Sequence, residues 1–362
     1  MFHRGLKGIV AAETAISFID GKKGELIYRG YDMLTLAEGK SFEEVAYLLW
    51  TSHFPNNHEL AWLKKELINS RNLPDYMVNM LKELPMDMDE MSVLRTVISA
   101  SGTSWYAWKP NIEQAVKLTA MIPAIIAFRS RILDGVEPVL PNEEFGHVEN
   151  YLFMLTGKAP DAVQVRALEM YMILTMEHGM NASTFAARVT ASTESDLVSA
   201  ITSAIGTMKG PLHGGAPSGV IDLLNEIYES GSAEAIISGK LERGERIMGF
   251  GHRVYKTVDP RARALKRVLT SYSGEDEWLD LAMETEEKAI EILKEAKPGR
   301  ELYTNVEFYA AAIMKTLSMK STLFTPTFSA ARIVGWTAHV LEQSEDNALF
   351  RPEATYVGKK VK

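Results

Sequence analysis

Apolar residues recur three and four positions apart through most of the chain, the period of a helix that buries one face. This spacing predicts helices over 59–70, 75–83, 89–101, 111–134, 144–156, 161–178, 183–190 and 195–209, then over 217–229, 260–271, 276–296, 305–318 and 326–343. Ser41, with Glu44 three residues on, predicts one more helix start, a capping box leading into Val45-Ala46-Tyr47-Leu48-Leu49-Trp50. Two-residue alternation is confined to the beginning. There Ala15–Asp20 and Glu25–Tyr31, flanking the turn residues Gly21 and Gly24, predict a small β-hairpin. The sequence carries no internal repeat and no low-complexity tract. An all-α, multi-helix fold is expected, with the hairpin as a minor N-terminal feature.

Composition narrows the partners. A chain of 362 residues suits a large and a smaller domain, and 46% hydrophobic with 24% charged residues is ordinary for a folded protein. The net charge of −8 argues against nucleic acid or an anionic membrane as general partner, although a local arginine cluster can still hold a small anion. There is no cysteine, so disulfides, thiolate nucleophiles and Cys-bound zinc are excluded. Glu13, Asp20 and Lys22 interrupt the beginning before any signal-peptide core forms. The apolar run Leu118–Phe128 contains Pro123 and falls short of the roughly 18 residues of a membrane span. A cytoplasmic protein without a membrane segment is expected.

Four connections between helices are rich in histidine, glycine, arginine or carboxylate, and loops on a rigid scaffold commonly carry chemistry. They cover 176–183, 208–219, 248–263 and 302–310. His178 follows a strongly apolar helix. It reads either as a C-terminal histidine stabilised by the helix dipole or as a functional imidazole, with Asn181 a turn or N-cap residue. His213 stands before Gly214-Gly215, where a ligand can approach closely, and a helix starting near Pro217 favours a neutral imidazole there. His252 lies in Gly249-Phe250-Gly251-His252, but Val254 occupies the third glycine position of a dinucleotide fingerprint and the preceding segment is charged. A loop whose bare backbone touches a flat or phosphorylated ligand fits better, with Lys256 and Arg261 making it locally basic. Asn305 is a candidate N-cap, placing Glu307 in the first turn of an apolar helix, as a dipole-favoured carboxylate or as a base. Arg332, in a mostly apolar helix, needs an anionic partner. Arg351 reads as a surface arginine.

Two site types fit these residues. Three histidines and a carboxylate can bind a non-haem metal, but the histidines lie far apart and no i, i+4 pair occurs. Acid–base chemistry on a carbonyl substrate, with arginines holding its carboxylates, is the other.

The segments MEHGMNAST, GPLHGGA, GFGHRVYKTVDPRA, LYTNVEFYAAA and GWTAHVLEQ followed by RP, in this order, resemble citrate synthase over essentially the whole chain, as does IDGKKGELIYRGYD near the start. The length resembles the compact bacterial and archaeal type that includes 2-methylcitrate synthases. The resemblance implies a small domain of residues 215–318, a large one of 1–214 and 319–362, and a homodimer. It implies oxaloacetate held by His178, Arg261 and Arg332, with Arg351 reaching in from the other subunit and Phe328 near the substrates. His252 would polarise the ketone, His213 would hydrogen-bond the thioester oxygen, and Glu307 would be the base. Arg246, Ile247, Met248, Gly249, Phe250 and Gly251 would carry the adenine end of CoA, with Lys256 near a CoA phosphate. CoA thioester would be a co-substrate, with no metal and no tightly bound cofactor.

Two residues depart from the family pattern. Glu307 stands where the family normally has Asp, and an extra methylene moves a carboxylate on the order of 1 Å, a displacement that can cost about 100-fold in rate. Pro217-Ser218 stands where Asn-Glu is frequent. The expected activity is citrate synthesis from acetyl-CoA. The alternatives are 2-methylcitrate synthesis from propionyl-CoA and a binding protein without catalysis; one methylene is worth only about 1–3 kcal/mol to a pocket.

Overall fold

The computed structural model describes residues 2–214, 216–252, 254–270, 277–300 and 302–359, with the backbone alone at 216–218. The side chains of Pro217 and Ser218, and the domain boundary expected at Gly215, lie outside the described residues. The chain begins with strands β1 (Ser17–Asp20), β2 (Glu25–Tyr28) and β3 (Tyr31–Asp32), then helices α1 (Met33–Gly39), α2 (Phe42–Thr51), α3 (Asn57–Ser70) and α4 (Asp75–Glu83). It continues with α5 (Glu90–Ala100), α6 (Ile112–Leu133), α7 (His147–Thr156), α8 (Ala162–Thr175), α9 (Ala182–Ala191) and α10 (Leu197–Met208). The remainder comprises α11 (Ala216–Ser230), α12 (Ala233–Glu242), α13 (Pro260–Thr270), α14 (Glu277–Ala296), α15 (Val306–Thr316) and α16 (Phe324–Glu345). The all-α expectation holds, and no described helix is long and apolar enough to cross a membrane.

Local signals account for most helix starts. Ser41 accepts from Glu44 N while the Glu44 carboxylate accepts from Ser41 N, the predicted capping box of α2. Asn181 caps α9 and Asn305 caps α15, each through its side-chain oxygen. Each such cap is worth on the order of 1 kcal/mol. Helix α8 ends at Thr175, three residues before the predicted stop, so His178 lies in the loop beyond it. Helix α12 is not predicted by the apolar pattern: only Ile237 of its residues is fully buried. Pro123 sits inside α6 and does not end it.

Helices α6 and α16 are apolar on nearly all sides and buried along most of their length, which makes them the centre of the main core. A second apolar cluster joins Leu223 and Ile227 of α11, Ile237 of α12, Ile247, and Ala289 and Leu293 of α14. This cluster lies within the predicted small domain, yet α11, α13 and α15 also contribute to the main core.

The N-terminal sheet is three-stranded and antiparallel, in the order β1-β2-β3; the third strand is too short to show as alternation. It supports the loops that follow. The Tyr28 hydroxyl donates to Glu177 O (2.8 Å) just beyond α8, Ser17 Oγ donates to the Glu177 carboxylate (2.8 Å), and Gly21 O accepts from Lys256 N (2.7 Å).

Candidate active site

Three loops and the middle of α16 bring the predicted polar residues to one cleft. Arg332 leaves α16 with Nε donating to Thr175 O (2.7 Å), and its guanidinium lies 4.8 Å over the Phe328 ring one turn earlier. Phe328 is buried and supports this arginine from behind. No hydrogen bond joins either Arg332 Nη to the described residues. Arg261, at the start of α13, is held by Asp259: Nε donates to Oδ1 (3.1 Å) and Nη2 to Oδ2 (2.9 Å). Burial pulls the Arg261 pKa down, and the adjacent Asp259 charge reverses this and raises it. For Arg332 burial prevails over the attraction of Glu177, and its pKa falls. Two buried guanidiniums in one cleft are a strong site for a small dianion.

His252 stands beside them. Its Nδ1 accepts from Val254 N (3.0 Å) and Tyr255 N (3.1 Å), which assigns the proton to Nε2. Arg261 Nη2 lies 3.3 Å from that Nε2. Both groups are donors, so they make no bond to each other and converge on a shared acceptor position. The His178 ring meets His252 edge to face at 5.5 Å, and His178 Nε2 lies 3.2 Å from the Tyr255 hydroxyl. Burial first, then the two arginines and His252, hold His178 well below the ordinary histidine range; burial and Arg261 bring His252 to about 4. The dipole-stabilised imidazolium reading of His178 is therefore wrong. The helix stops too early, and the surrounding cations favour the neutral ring.

His213 is fixed from the far side. Its Nε2 accepts from Ser183 N (3.3 Å) and contacts Ser183 Oγ (2.7 Å), while Trp336 Nε1 donates to that Oγ (3.0 Å). The Ser183 backbone N–H donating to Nε2 leaves the ring proton on Nδ1, which has no partner among the described residues. Burial and Arg332 lower the His213 pKa to about 4, so the ring is a neutral donor at pH 7.

Glu307 occupies the first turn of α15. Asn305 Oδ1 accepts from Glu307 N (3.1 Å), and Asp259 Oδ2 accepts from Val306 N (3.1 Å). The same aspartate thus ties Arg261 to the helix that carries Glu307. Burial pushes the Glu307 carboxyl up to about 7, with Asp259 adding to the rise and Arg261 and Arg332 opposing it. A carboxylate poised near neutrality suits a general base.

A groove runs outward from these groups. One cavity of about 410 Å³ is lined by Arg246 through His252 together with Leu293, Lys297 and Arg300. An adjoining one of about 690 Å³ is lined by His252, Tyr255, Lys256, Lys294 and Arg300. Gly249 and Gly251 hold φ of +87° and +83°, and a Cβ on Gly249 would come within 2.8 Å of Phe308. The absence of a side chain at Gly249 lets the loop pack directly on buried Phe308. Lys294 in the last turn of α14, and Lys297 and Arg300 just beyond it, escaped the sequence reading because nothing in their local pattern separates them from a solvated helix end.

The structure sets His178, His252 and Arg261 against one another, Phe328 under Arg332, and the 246–251 loop beside His252, and it places Glu307 and His213 within electrostatic reach of Arg332. It does not bring Arg351 to them: that residue is exposed, just after Phe350, whose ring packs on Phe185 of α9. Sequence reasoning missed Asp259, Tyr255, Ser183 and Trp336. Only Asp259 had a usable signal, a carboxylate just before a helix-starting proline and two residues from a buried arginine. It also missed the buried chain behind His178, in which Arg188 Nη1 donates to His339 Nδ1 (3.0 Å) and His339 Nε2 donates to Glu177 (3.1 Å). Among the described residues no group of three His, Asp or Glu side chains is placed to hold a metal ion.

Comparison with known proteins gives a consistent picture. A family model described as citrate synthase, C-terminal domain, matches residues 5–353. The chain is 43% identical over 364 aligned residues to citrate synthase 2 of Bacillus subtilis, covering 98% of this chain and 95% of that one. It is 39% identical to the citrate/2-methylcitrate synthase of the same organism, covering 98% and 96%. The solved ternary complex of carboxymethyl coenzyme A and oxaloacetate with the citrate synthase of Thermoplasma acidophilum superposes with a TM-score of 0.91 at 30% identity, covering 100% of this chain and 97% of that one.

Proposed function

The chain belongs to the citrate synthase family of acyltransferases, and from that membership we infer that its cleft joins acetyl-CoA to oxaloacetate and, with water, releases citrate and CoA. The observation that carries the assignment of residues is the placement of Arg261 against the Nε2–H of His252, with the His178 ring beside His252, and with Arg332 and a carboxylate of raised pKa within electrostatic reach.

In this reading Arg261 and Arg332 hold the two carboxylates of oxaloacetate, and His178 adds a hydrogen bond. The Nε2–H of His252 points at the ketone oxygen and draws charge onto it. Acetyl-CoA enters along the groove. The 246–251 loop takes its adenine, and Lys256 with Lys294, Lys297 and Arg300 faces its phosphates. Glu307 removes a proton from the thioester methyl group. That proton is very weakly acidic, so the enol must be stabilised as it forms, and the Nδ1–H of His213 supplies the donor at the thioester oxygen. The enol carbon attacks the polarised ketone carbon and forms citryl-CoA, whose hydrolysis releases CoA. CoA is thus a co-substrate, and the scheme calls for no tightly bound cofactor and no metal.

We also propose that residues 215–318 act as a small domain that closes over the cleft, excluding water until the carbon–carbon bond has formed. The enzyme is proposed to be a cytoplasmic homodimer in which Arg351 of the partner subunit joins the carboxylate cluster. Its support is that Arg351 is exposed within the single chain, outside the cluster.

Thiol release with oxaloacetate plus acetyl-CoA or propionyl-CoA, with and without a chelator, tests the reading. Oxaloacetate-dependent release from acetyl-CoA that survives chelation is expected. No release with either thioester would leave only ligand binding, loss on chelation would revive the metal reading, and a preference for propionyl-CoA would make the enzyme a 2-methylcitrate synthase.

A further inference from the structure

We propose that Glu307 sets the upper size limit of the acyl group: its extra methylene, on a backbone that cannot draw back, takes the space an α-methyl substituent needs, so the enzyme selects acetyl-CoA over propionyl-CoA. The inference rests on Glu307 being the base of the reaction proposed above.

The base must touch the carbon whose proton it removes. Any substituent on that carbon competes with the carboxylate for the same few ångströms. A glutamate therefore leaves less room than an aspartate would, unless the chain retreats by about 1 Å, the scale on which catalytic geometry is felt. Retreat is blocked on several sides. Val306 N is bound to Asp259 Oδ2 (3.1 Å), Glu307 N to Asn305 Oδ1 (3.1 Å) and Phe308 N to Asn305 O (3.2 Å). Asn305 is itself tied to the groove loop, with its N donating to Gly249 O (2.9 Å) and its Nδ2 to Gly251 O (2.9 Å). Gly251 N donates to Tyr303 O (2.7 Å), and Phe250 forms a β-bridge with Thr304.

Packing closes the remaining route. Val306 and Phe308, on either side of Glu307, are buried, and the Phe308 ring lies 5.2 Å from that of Phe250. Phe308 already fills the space over Gly249 that a side chain would occupy. Backing Glu307 away would break several of these bonds at once and drive Phe308 into the loop. The side chain can still curl among its rotamers, but a curled methylene takes volume from the cleft wall just as an extended one does.

The test is the ratio of kcat/KM for propionyl-CoA to that for acetyl-CoA. Glu307→Asp should raise this ratio about tenfold or more, the discrimination one methylene supports, even if both absolute rates fall. An active Glu307→Asp enzyme with an unchanged ratio overturns the inference and leaves the assigned reaction standing. No thiol release from the unaltered protein with either thioester overturns both. Binding provides an arm independent of turnover, measured by calorimetry with oxaloacetate present. Glu307→Gln, which keeps the volume, should keep the preference for acetyl-CoA, and Glu307→Ala, which frees it, should shift binding toward propionyl-CoA. Equal shifts in the two variants would assign the preference to charge and overturn the steric reading.

Discussion

Between pH 8 and pH 6 the kcat/KM for acetyl-CoA, measured at saturating oxaloacetate, is expected to fall by at least roughly tenfold, because a base works only while ionised. The working group is Glu307, whose carboxyl is raised to about 7. With that value the ionised fraction drops from roughly nine-tenths at pH 8 to one-tenth at pH 6, whereas an ordinary glutamate near 4.3 would leave the profile flat. The groups around it do not titrate in this window. His213 and His252 sit at about 4, His178 lower, and burial raises Tyr171 and Tyr255 above the ordinary tyrosine range. For Asp259 burial acts upward, but Arg261 holds it below the usual carboxylate range, so it stays ionised. Oxaloacetate neutralises Arg261 and Arg332, which now hold the Glu307 value down, so its binding should move the limb to higher pH. Glu307→Gln should lose on the order of 10²–10⁴ in rate and the acid limb with it. The assay is initial-rate thiol release across pH 5.5 to 8.5, a range chosen to bracket about one unit and a half on each side of the Glu307 value. A flat profile in the unaltered enzyme, or the same limb in Glu307→Gln, would refute Glu307 as the titrating base.

Removing a carboxylate ligand should act on binding. Arg332→Gln and His178→Ala are each expected to raise the KM for oxaloacetate, by roughly 10- to 100-fold for the arginine from the loss of charge-assisted hydrogen bonds worth about 1.5–3 kcal/mol, and a change in kcat alone would contradict these roles. Asp259→Asn leaves the buried Arg261 charge uncompensated and should lower unfolding stability by about 3–5 kcal/mol in urea titrations, so an unchanged midpoint would count against the ion pair. Replacing Lys297 and Arg300 together by alanine should raise the KM for acetyl-CoA, leave that for oxaloacetate in place and flatten the salt dependence of the former. An unaltered KM would move the CoA phosphates elsewhere.

The apolar period, the caps at Ser41, Asn181 and Asn305, and the confinement of alternation to the start specify an all-α chain without any partner or ligand. These are signals between residues within about four positions of each other, so they can be read along the chain. The chemistry-bearing loops were legible for a related reason: glycine, histidine and arginine stand where a plain connector has no use for them.

Which of those residues meet, and in what protonation state, belongs to the tertiary structure alone. The tautomer of His213 is set by a backbone N–H of α9, and the pKa of Glu307 by its burial and by the charges of Asp259, Arg261 and Arg332. The N-terminal sheet read as a minor feature, yet its contacts with Glu177 and Lys256 support both histidine loops. Desolvation and through-space charge depend on what packs around a group from distant parts of the chain, and no local pattern records that. Local chemistry decided which elements form, and packing decided that two cations, three neutral imidazoles and one half-titrated carboxylate share a single cleft.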